Sequence, residues 1–532
     1  MQSGEGFSRE GGELEREEDN LDITTTINQR YQQSKYFNLA TLVAQEMSEG
    51  EAGDQSSAFR EIASAMAQAG EFSQAKKVVD RISNQEERVY ALKDIADIMI
   101  DSEVSNLNEE AKEILNRALS AIDTDDPRTD FPEMIKAQVI GSIEKAGDNK
   151  KAEELANSHL AWGEIALAQA KKGEYDKAHS TVNNISEQST RESTFYNIAK
   201  LPAESGNYDQ ALNEVEENIS SKNYTSTALT EIALKMSDED NSVKQEKLQK
   251  VLERTKESID SNADDKTRNR LLIKIIKPLA SCGKYDEAST LIEKSLSSKY
   301  KPLAKRRLMV EKAKNEGDFT ECKAQAKKKE GEARAKFLKS ISVAMGESGN
   351  LEDAEETAKE IQHPLRSEAL REVAVIYAKA GDLEKAQSVA EDIDASKEEK
   401  AIALANVASE ADNETTLNSD SSLRSSEVIE NEYTDKIEDM VKEGLNNTES
   451  LISIGGGINS DVREKLLEGL TFSDGNAERL EALLEIGYIE THSSFMDEPE
   501  LNQFLENYRQ GKYDLDEVST ERKRRLEKLL GN

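Results

Sequence analysis

The sequence is poor in the residues that build disulfide-bonded proteins and large aromatic cores. Its 532 residues include two cysteines, seven prolines and one tryptophan, and aromatic residues make up only 5 % of the chain. Two cysteines provide no disulfide framework, and neither Cys282 nor Cys322 has neighbours at metal-ligand spacing. The shortage of aromatic residues is unfavourable for a large enzyme core, whereas it suits thin packing of helix against helix.

Long apolar runs are also missing. No segment approaches the roughly 20 consecutive apolar residues that a transmembrane helix needs. Residues 1–20 are polar and acidic, unlike a secretory signal. The sequence therefore predicts a cytoplasmic protein without a membrane partner.

The residues that usually carry metal or cofactor chemistry are scattered. The four histidines, His159, His179, His363 and His492, lie far apart in the sequence. The glycine run at 455–457 lacks the following Lys and Ser or Thr of a phosphate-binding loop, so it is better interpreted as a hinge. We therefore predict no metal site, no cofactor and no enzymatic activity.

What the chain does contain is one short phrase, repeated eight times. The phrase begins with Gly, usually has an aromatic residue or Leu two positions later, and has Ala or Cys five positions later in the full copies. The eight glycines are Gly70, Gly147, Gly173, Gly206, Gly283, Gly317, Gly349 and Gly381. From Gly283 onward the glycines are 34, 32 and 32 residues apart. A fixed period of this length indicates stacked supersecondary units rather than one globular core.

Each copy of the phrase lies between two stretches with a helical pattern. A Gly at the end of a helix closes the last turn in the left-handed conformation without a Cβ penalty. The acidic or amide residue that often follows is suited to begin the next helix. The Ala then allows the two helices to approach closely. Each unit is therefore predicted to be an antiparallel helical hairpin.

The phrase resembles the turn of the tetratricopeptide repeat, and the resemblance covers residues 54–410. The early Trp and the terminal Pro of that family are absent. Two gaps of 77 residues between glycines leave room for one degenerate unit each, at 85–121 and 224–260. The resemblance implies an all-α, right-handed α-solenoid of about ten hairpins, whose first helices line a concave groove.

Four regions are predicted along the chain. Residues 1–21 form a disordered acidic arm, 22–410 the solenoid, 411–427 a polar linker and 428–532 a small helical region without a recognisable motif. Residues 23–47 have a helical pattern and are expected to form the entry to the solenoid.

Charge is unevenly distributed. The net charge is −36, which argues against nonspecific binding of nucleic acid or membranes by the whole chain. Between Lys244 and Lys339, however, 26 Lys and Arg stand against 15 Asp and Glu. Such a reversal of sign indicates either local pairing or a partner surface.

The position of these cations within the hairpin is informative. Residues 13, 10, 6 and 3 before the turn Gly share one face of the first helix. Before Gly283, Gly317 and Gly349, six of these twelve positions are basic: Arg270, Lys277, Arg307, Lys314, Lys336 and Lys339. The same positions before Gly173 are uncharged: Leu160, Gly163, Leu167 and Ala170.

We therefore predict a protein–protein interaction scaffold that binds an extended acidic segment over these six cations, because carboxylates and phosphates pair well with Lys and Arg. Three other interpretations stay open. The cations could simply solvate exposed helix faces and pair with nearby acids. The stretch 244–339 could bind nucleic acid, or an enzyme site could lie in the C-terminal region. The sequence does not indicate an oligomeric state.

Overall fold

A computed structural model describes thirteen ranges of the chain. These ranges are 31, 33–47, 52–102, 107–122, 132–238, 242–260, 264–362, 364–394, 396–410, 452–453, 483–484, 486–489 and 491–492. Every regular element within them is an α-helix, which confirms the all-α prediction. None of the helices described is both long enough and apolar enough to cross a membrane.

The helices are numbered in chain order. They are α1 (33–45), α2 (Ala52–Gln68), α3 (Phe72–Val79), α4 (Gln85–Asp101), α5 (Leu107–Ala121), α6 (Pro132–Lys145), α7 (Asn149–Leu155), α8 (His159–Lys171), α9 (Tyr175–Val182), α10 (Gln188–Glu204), α11 (Tyr208–Asn218), α12 (Lys222–Ser237), α13 (Ser242–Asp260), α14 (Asp265–Lys274), α15 (Ile276–Ser281), α16 (Tyr285–Ser295), α17 (Lys301–Glu316), α18 (Thr320–Lys327), α19 (Gly331–Glu347), α20 (Leu351–Lys359), α21 (Leu365–Lys379), α22 (Leu383–Glu391) and α23 (Lys397–Glu410).

The glycine turns have the predicted geometry. All eight turn glycines have φ between 70° and 86°. In the first copy, the Gly70 amide donates to the Ala67 carbonyl at 3.0 Å and the Glu71 amide donates to the Met66 carbonyl at 2.8 Å. This pair of bonds defines the Schellman motif, which satisfies carbonyls that the end of a helix leaves open.

The residue after the Gly caps the next helix less often than the sequence suggests. Asn207 accepts from the Gln210 amide at 3.4 Å, and Asp382 accepts from the Lys385 amide at 3.0 Å. The side chains that begin α3, α7, α9, α16 and α20 make no cap hydrogen bond. The left-handed Gly is therefore the constant feature of the turn, and the side-chain cap is not.

The described helices from α2 to α22 form ten hairpins, in which α14 and α15 together make one first helix. The two degenerate units appear where the gaps predicted them, as α4 with α5 and α12 with α13. The described helices thus form an all-α solenoid of helical hairpins, whose glycine turns resemble those of the tetratricopeptide repeat.

The chain divides into two compact units, residues 1–84 with 370–532, and residues 85–369. In the second unit each first helix contacts the next, from α4 through α6, α8, α10, α12, α14 and α15, and α17 to α19. We call this row of helices the first-helix layer. The predicted boundaries of the four regions stay predictions, since residues 1–21 and 411–427 and most of 428–532 lie outside the described residues.

A hydrogen bond that the sequence analysis did not anticipate joins some consecutive repeats. In three hairpins, the side chain 14 residues before the turn Gly accepts from a backbone amide 28 residues later. The bonds are Asn84 N to Ser56 Oγ (3.2 Å), Ser220 N to Glu192 Oε2 (3.3 Å) and Ser297 N to Asn269 Oδ1 (2.9 Å). Each donor lies just before the next first helix, where amides lack helical partners.

Helices α6 and α8 approach most closely at Gly141. A Cβ at this position would lie 2.9 Å from the Glu164 Cβ and 3.1 Å from the Glu164 carbonyl oxygen. Real Cβ atoms essentially never come within 3.0 Å of another atom, and the Glu164 Cβ is attached directly to the backbone of α8, so this close contact between the two helices requires Gly. The position of Glu164 is thereby fixed against α6.

In the first compact unit, the N-terminal helix α1 packs against the last repeat helix. The Gln33 amide group donates to the Ala408 carbonyl at 3.3 Å, and the Lys397 ammonium donates to the Glu46 carbonyl at 2.7 Å. The two helices therefore run antiparallel, as the two helices of a hairpin do. Helix α23 also contacts α22 and α2. The N-terminal helix is thus more than the predicted entry segment, because it covers α23.

Replacement of Gly141 by Ala should destabilise the protein. Gly to Ala inside a helix ordinarily gains up to about 1 kcal/mol, but here the new methyl group meets backbone, and such overpacking costs about 1–3 kcal/mol. The measurement is the free energy of unfolding in urea. An Ala variant as stable as the parent would contradict the close contact.

Removal of residues 1–47 should uncover α23. We expect the amides of 397–410 to exchange with solvent at least tenfold faster, because α23 loses the helix that covers it. Hydrogen exchange read by mass spectrometry measures this change, with the amides of α19 as the internal control. Unchanged protection of α23 would show that α1 contributes nothing to its stability.

Candidate groove on the first-helix layer

Three of the six predicted groove cations connect neighbouring first helices. The Lys277 ammonium lies 2.6 Å from an Asp238 carboxylate oxygen at the end of α12. On the following repeats, the ion pairs of Lys314 with Glu347 and of Lys339 with Glu368 each measure 2.5 Å. These pairs link α15 to α12, α17 to α19, and α19 to α21.

The other three cations differ in their surroundings. Lys336 pairs with Glu332 of its own helix at 2.5 Å, and Arg307 lies 3.9 Å from Glu311, also on its own helix. Arg270 is exposed and forms no ion pair with any carboxylate that the structure describes. Only Arg270 of the six is therefore available to a ligand without displacing a carboxylate of this chain.

A carboxylate at the centre of the basic stretch was not singled out from the sequence. The Glu311 side chain is only 19 % exposed. Burial raises its pKa, although the nearby cations Arg307, Lys277 and Lys314 act to lower it. The structure thus gathers three of the six predicted cations around Glu311. The sequence contained a signal for this carboxylate, because Glu311 lies 6 residues before Gly317 and therefore on the helix face that was predicted to line the groove.

The sign reversal along the sequence is offset by pairing across repeats. Several cations between 244 and 339 reach acids that lie before or after this stretch. The pairs are Lys247 with Asp209, Arg254 with Glu216, Lys274 with Glu231, Lys277 with Asp238, Lys314 with Glu347, and Lys339 with Glu368. Four of these acids precede the stretch and two follow it. Anion binding by the six groove cations stays a prediction.

A different set of lysines has no carboxylate partner among the described residues. Lys323 belongs to α18, and Lys327, Lys328 and Lys329 are exposed at its end and in the turn that follows. They belong to a second helix and its connection, rather than to the first-helix layer. The cations of this stretch that remain unpaired are therefore concentrated outside the predicted groove.

The part of the first-helix layer that has no charge at the predicted groove positions contains a cleft of about 270 Å³. Helices α8, α10 and α12 line it with Leu160, Gly163, Glu164, Leu167, Ser189, Thr190, Ser193, Thr194, Asn197 and Tyr224. Leu160 is 41 % exposed, which is unusual for a large apolar side chain in this protein. The sequence analysis noted the lack of charge at Leu160, Gly163 and Leu167 but did not anticipate a cleft there.

Several polar groups that line the cleft have no hydrogen-bond partner among the described residues. The side chains of Ser193 and Asn197 and the Tyr224 hydroxyl form no hydrogen bond with any described residue. The Tyr224 ring lies 5.9 Å from the Tyr196 ring. Burial raises the pKa of Tyr196, and Arg270 acts against that rise. Arg270 is therefore near Tyr196, whose ring neighbours the Tyr224 ring that lines the cleft.

Glu164 is the only charged side chain that lines the cleft. Its carboxylate makes no hydrogen bond or ion pair with any described residue. Burial raises its pKa, against the effect of Lys171 and Lys93, and Asp97 adds to the rise. The cleft thus combines a mostly polar lining, the two apolar side chains of Leu160 and Leu167, and one partly desolvated carboxylate.

The described residues contain no cluster of three His, Cys, Asp or Glu side chains arranged to hold a metal ion. His159 contacts the Ser186 hydroxyl at 3.1 Å, and His179 contacts the Glu214 carboxylate at 2.9 Å. Cys322 is buried at the position where other copies have Ala, and burial raises the pKa of its thiol to about 11. This cysteine is a packing residue, as the repeat predicts.

Comparisons with known proteins identify structural neighbours only. No protein-family model matches the chain, and no curated protein matches its sequence. Among solved structures, Ton1535 from Thermococcus onnurineus NA1 is similar to this chain, with 17 % sequence identity and a TM-score of 0.23. The match covers 64 % of this chain and 96 % of the Ton1535 chain. The pentatricopeptide repeat protein PPR10 from maize is 12 % identical, with a TM-score of 0.22, over 87 % of this chain and 82 % of its own.

A circular tandem repeat protein with a novel repeat topology is 16 % identical, with a TM-score of 0.12, over 90 % of this chain and 99 % of its own. These TM-scores are too low to support an argument about fold or function. The assignment as a helical-repeat protein therefore depends on the hairpins of the chain itself.

Reversal of one inter-helix charge should reveal the pairing between repeats. Lys339→Glu places two carboxylates together at Glu368 and should lower the free energy of unfolding by about 1 kcal/mol, the upper end for exposed pairs. The double variant Lys339→Glu/Glu368→Lys should recover most of that loss. Urea unfolding measures both. If the double variant were no more stable than the single one, the pair would contribute nothing.

Proposed function

We propose that this protein is a non-enzymatic scaffold that binds an extended segment of a protein partner along its first-helix layer. The observation that supports this most directly is the cleft between α8, α10 and α12, with open polar groups on Ser193, Asn197 and Tyr224. An extended main chain carries donors and acceptors that such groups can pair with, while apolar side chains meet Leu160 and Leu167.

An acidic part of the segment would contact Arg270. This guanidinium is exposed, forms no ion pair with a described carboxylate and acts on Tyr196, whose ring neighbours Tyr224 of the cleft. Lys277, Arg307, Lys314, Lys336 and Lys339 would contribute less, because a ligand carboxylate must compete with the acids that already pair with them. Exchange of one exposed ion pair for another yields little net free energy.

Nucleic-acid binding is the second candidate function. The exposed lysines at 327–329, with Lys323, support it, because phosphate contacts need cations that are not already paired. The net charge of −36 opposes it. We therefore place protein binding first, and the cytoplasmic location predicted from composition goes with this proposal.

Photo-crosslinking from the cleft tests both candidates. A crosslinking amino acid at Ser193 should capture a discrete protein that nuclease treatment does not release. The matched control carries the same amino acid at the exposed Ser289 of α16 and should not capture it. Recovery of nuclease-sensitive RNA or DNA instead would support the second candidate.

The purified partner then allows Arg270 to be tested directly. Arg270→Glu should weaken binding by about tenfold or more, since a hydrogen bond between charged groups contributes about 1.5–3 kcal/mol. The matched control is Lys336→Glu, because Lys336 already pairs on its own helix. Equal capture from Ser193 and Ser289, or full affinity in the Arg270 variant, would contradict the proposed groove.

A further inference from the structure

Building on the proposed function, we infer that the cleft between α8, α10 and α12 accepts one lysine or arginine side chain of the bound segment. The Glu164 carboxylate pairs with its cationic head, and Leu160 and Leu167 pack against its aliphatic stem. The partner segment would then be bipolar, with a cation in the cleft and an acidic residue at Arg270.

The arrangement of α8 fits this ligand. Leu160, Glu164 and Leu167 follow one another at i, i+4 and i+7, so they share one helical face. Gly163 also lines the cleft and lets α10 approach α8 closely, since a Cβ at this position would lie 2.9 Å from the Thr194 hydroxyl oxygen. The volume of about 270 Å³ is below the range for drug-sized ligands and suits a single long side chain.

The chemistry of lysine and arginine matches these walls. Both have an apolar stem and a charged tip, and they commonly bury the stem while the tip finds water or a carboxylate. A purely apolar side chain would occupy the same walls but would leave the Glu164 carboxylate without a partner. An acidic side chain would place two carboxylates together in a partly desolvated space, which is unfavourable.

The charged groups around Glu164 do not already satisfy it. Lys171 on its own helix, and Lys93 and Asp97 on α4, are the charged groups that affect it. Lys93 is engaged by the carboxylates of Asp94 at 3.3 Å and Asp97 at 2.9 Å. A ligand cation would restore the interactions that burial has removed from the carboxylate. The negative charge of the whole chain also attracts cations toward the site.

The test uses three capped tripeptides that differ only in the central residue, acetyl-Ala-X-Ala-amide with X as Lys, norleucine or Glu. Titration into the full-length protein is followed by NMR of the labelled methyl groups of Leu160 and Leu167. We expect the Lys peptide to shift both methyl signals and to bind about tenfold or more tightly than the norleucine peptide. The Glu peptide should bind more weakly than either.

Substitution at Glu164 isolates the carboxylate. Glu164→Gln should reduce the affinity for the Lys peptide to that for norleucine. The matched control Glu204→Gln removes an equal charge from an exposed position on α10 and should change neither affinity. Equal affinities of the Lys and norleucine peptides, an unaffected Glu164→Gln variant, or methyl signals that none of the peptides shifts would overturn the inference.

The pH dependence gives an independent readout. A bound cation lowers the pKa of Glu164 from its raised value in the free protein, so affinity for the Lys peptide should be highest above that raised value. It should decrease as pH falls through it, and Glu164→Gln should abolish the dependence. Affinity that instead rises on acidification would mean that protonated Glu164 donates to a ligand carbonyl, which would also overturn the inference.

These outcomes are separable from those of the proposed function. A protein captured from Ser193 whose binding needs Arg270, together with a cleft that prefers norleucine, would keep the scaffold and refute the cation site. Selective binding of the Lys peptide without any captured protein would support the cation site and refute the scaffold.

Discussion

The structure depends on one constraint, which is that a single helical hairpin cannot bury its own apolar face. Each first helix of the second compact unit therefore packs against the next one, and in the hairpins that have it the left-handed glycine turn brings the chain back into position to do so. Small residues make this contact close, as Gly141 does against Glu164. The amide hydrogen bonds to Ser56, Glu192 and Asn269 then fix where three of the following first helices begin.

Stacking of the first helices also determines the electrostatics of the layer. Cations of the basic stretch become neighbours of acids on the preceding or following repeat, as the ion pair of Lys277 with Asp238 shows. The basic stretch is consequently much less available to a ligand than its composition suggests. Exposed cations of the stretch without an ion pair among the described residues include Arg270, Lys266, Lys294 and the lysines at 327–329. The chemistry of binding is thus concentrated in a few places along a repetitive surface.

The cleft between α8, α10 and α12 follows from the same stacking. Gly163 lets α8 and α10 approach closely beside Thr194, and Ser193 and Thr194 line the cleft with short side chains. Among the described residues that line the cleft, Glu164 is the charged one, and its Cβ lies in close contact with Gly141 of α6. The residue that provides the carboxylate therefore also takes part in the close packing of α8 against α6.

The sequence by itself determined the repeat. A Gly followed by Ala five residues later is a local signal, because the left-handed turn and the close helix contact involve residues near one another in the chain. It even located the degenerate hairpins at 85–121 and 224–260.

The sequence could not determine which charges meet, since ion pairs such as Lys339 with Glu368 join residues 29 apart, on different helices. Nor could it place Glu164 in a cleft or α1 against α23, because the register of packed helices and the contact between residues 33 and 408 are properties of the tertiary structure alone.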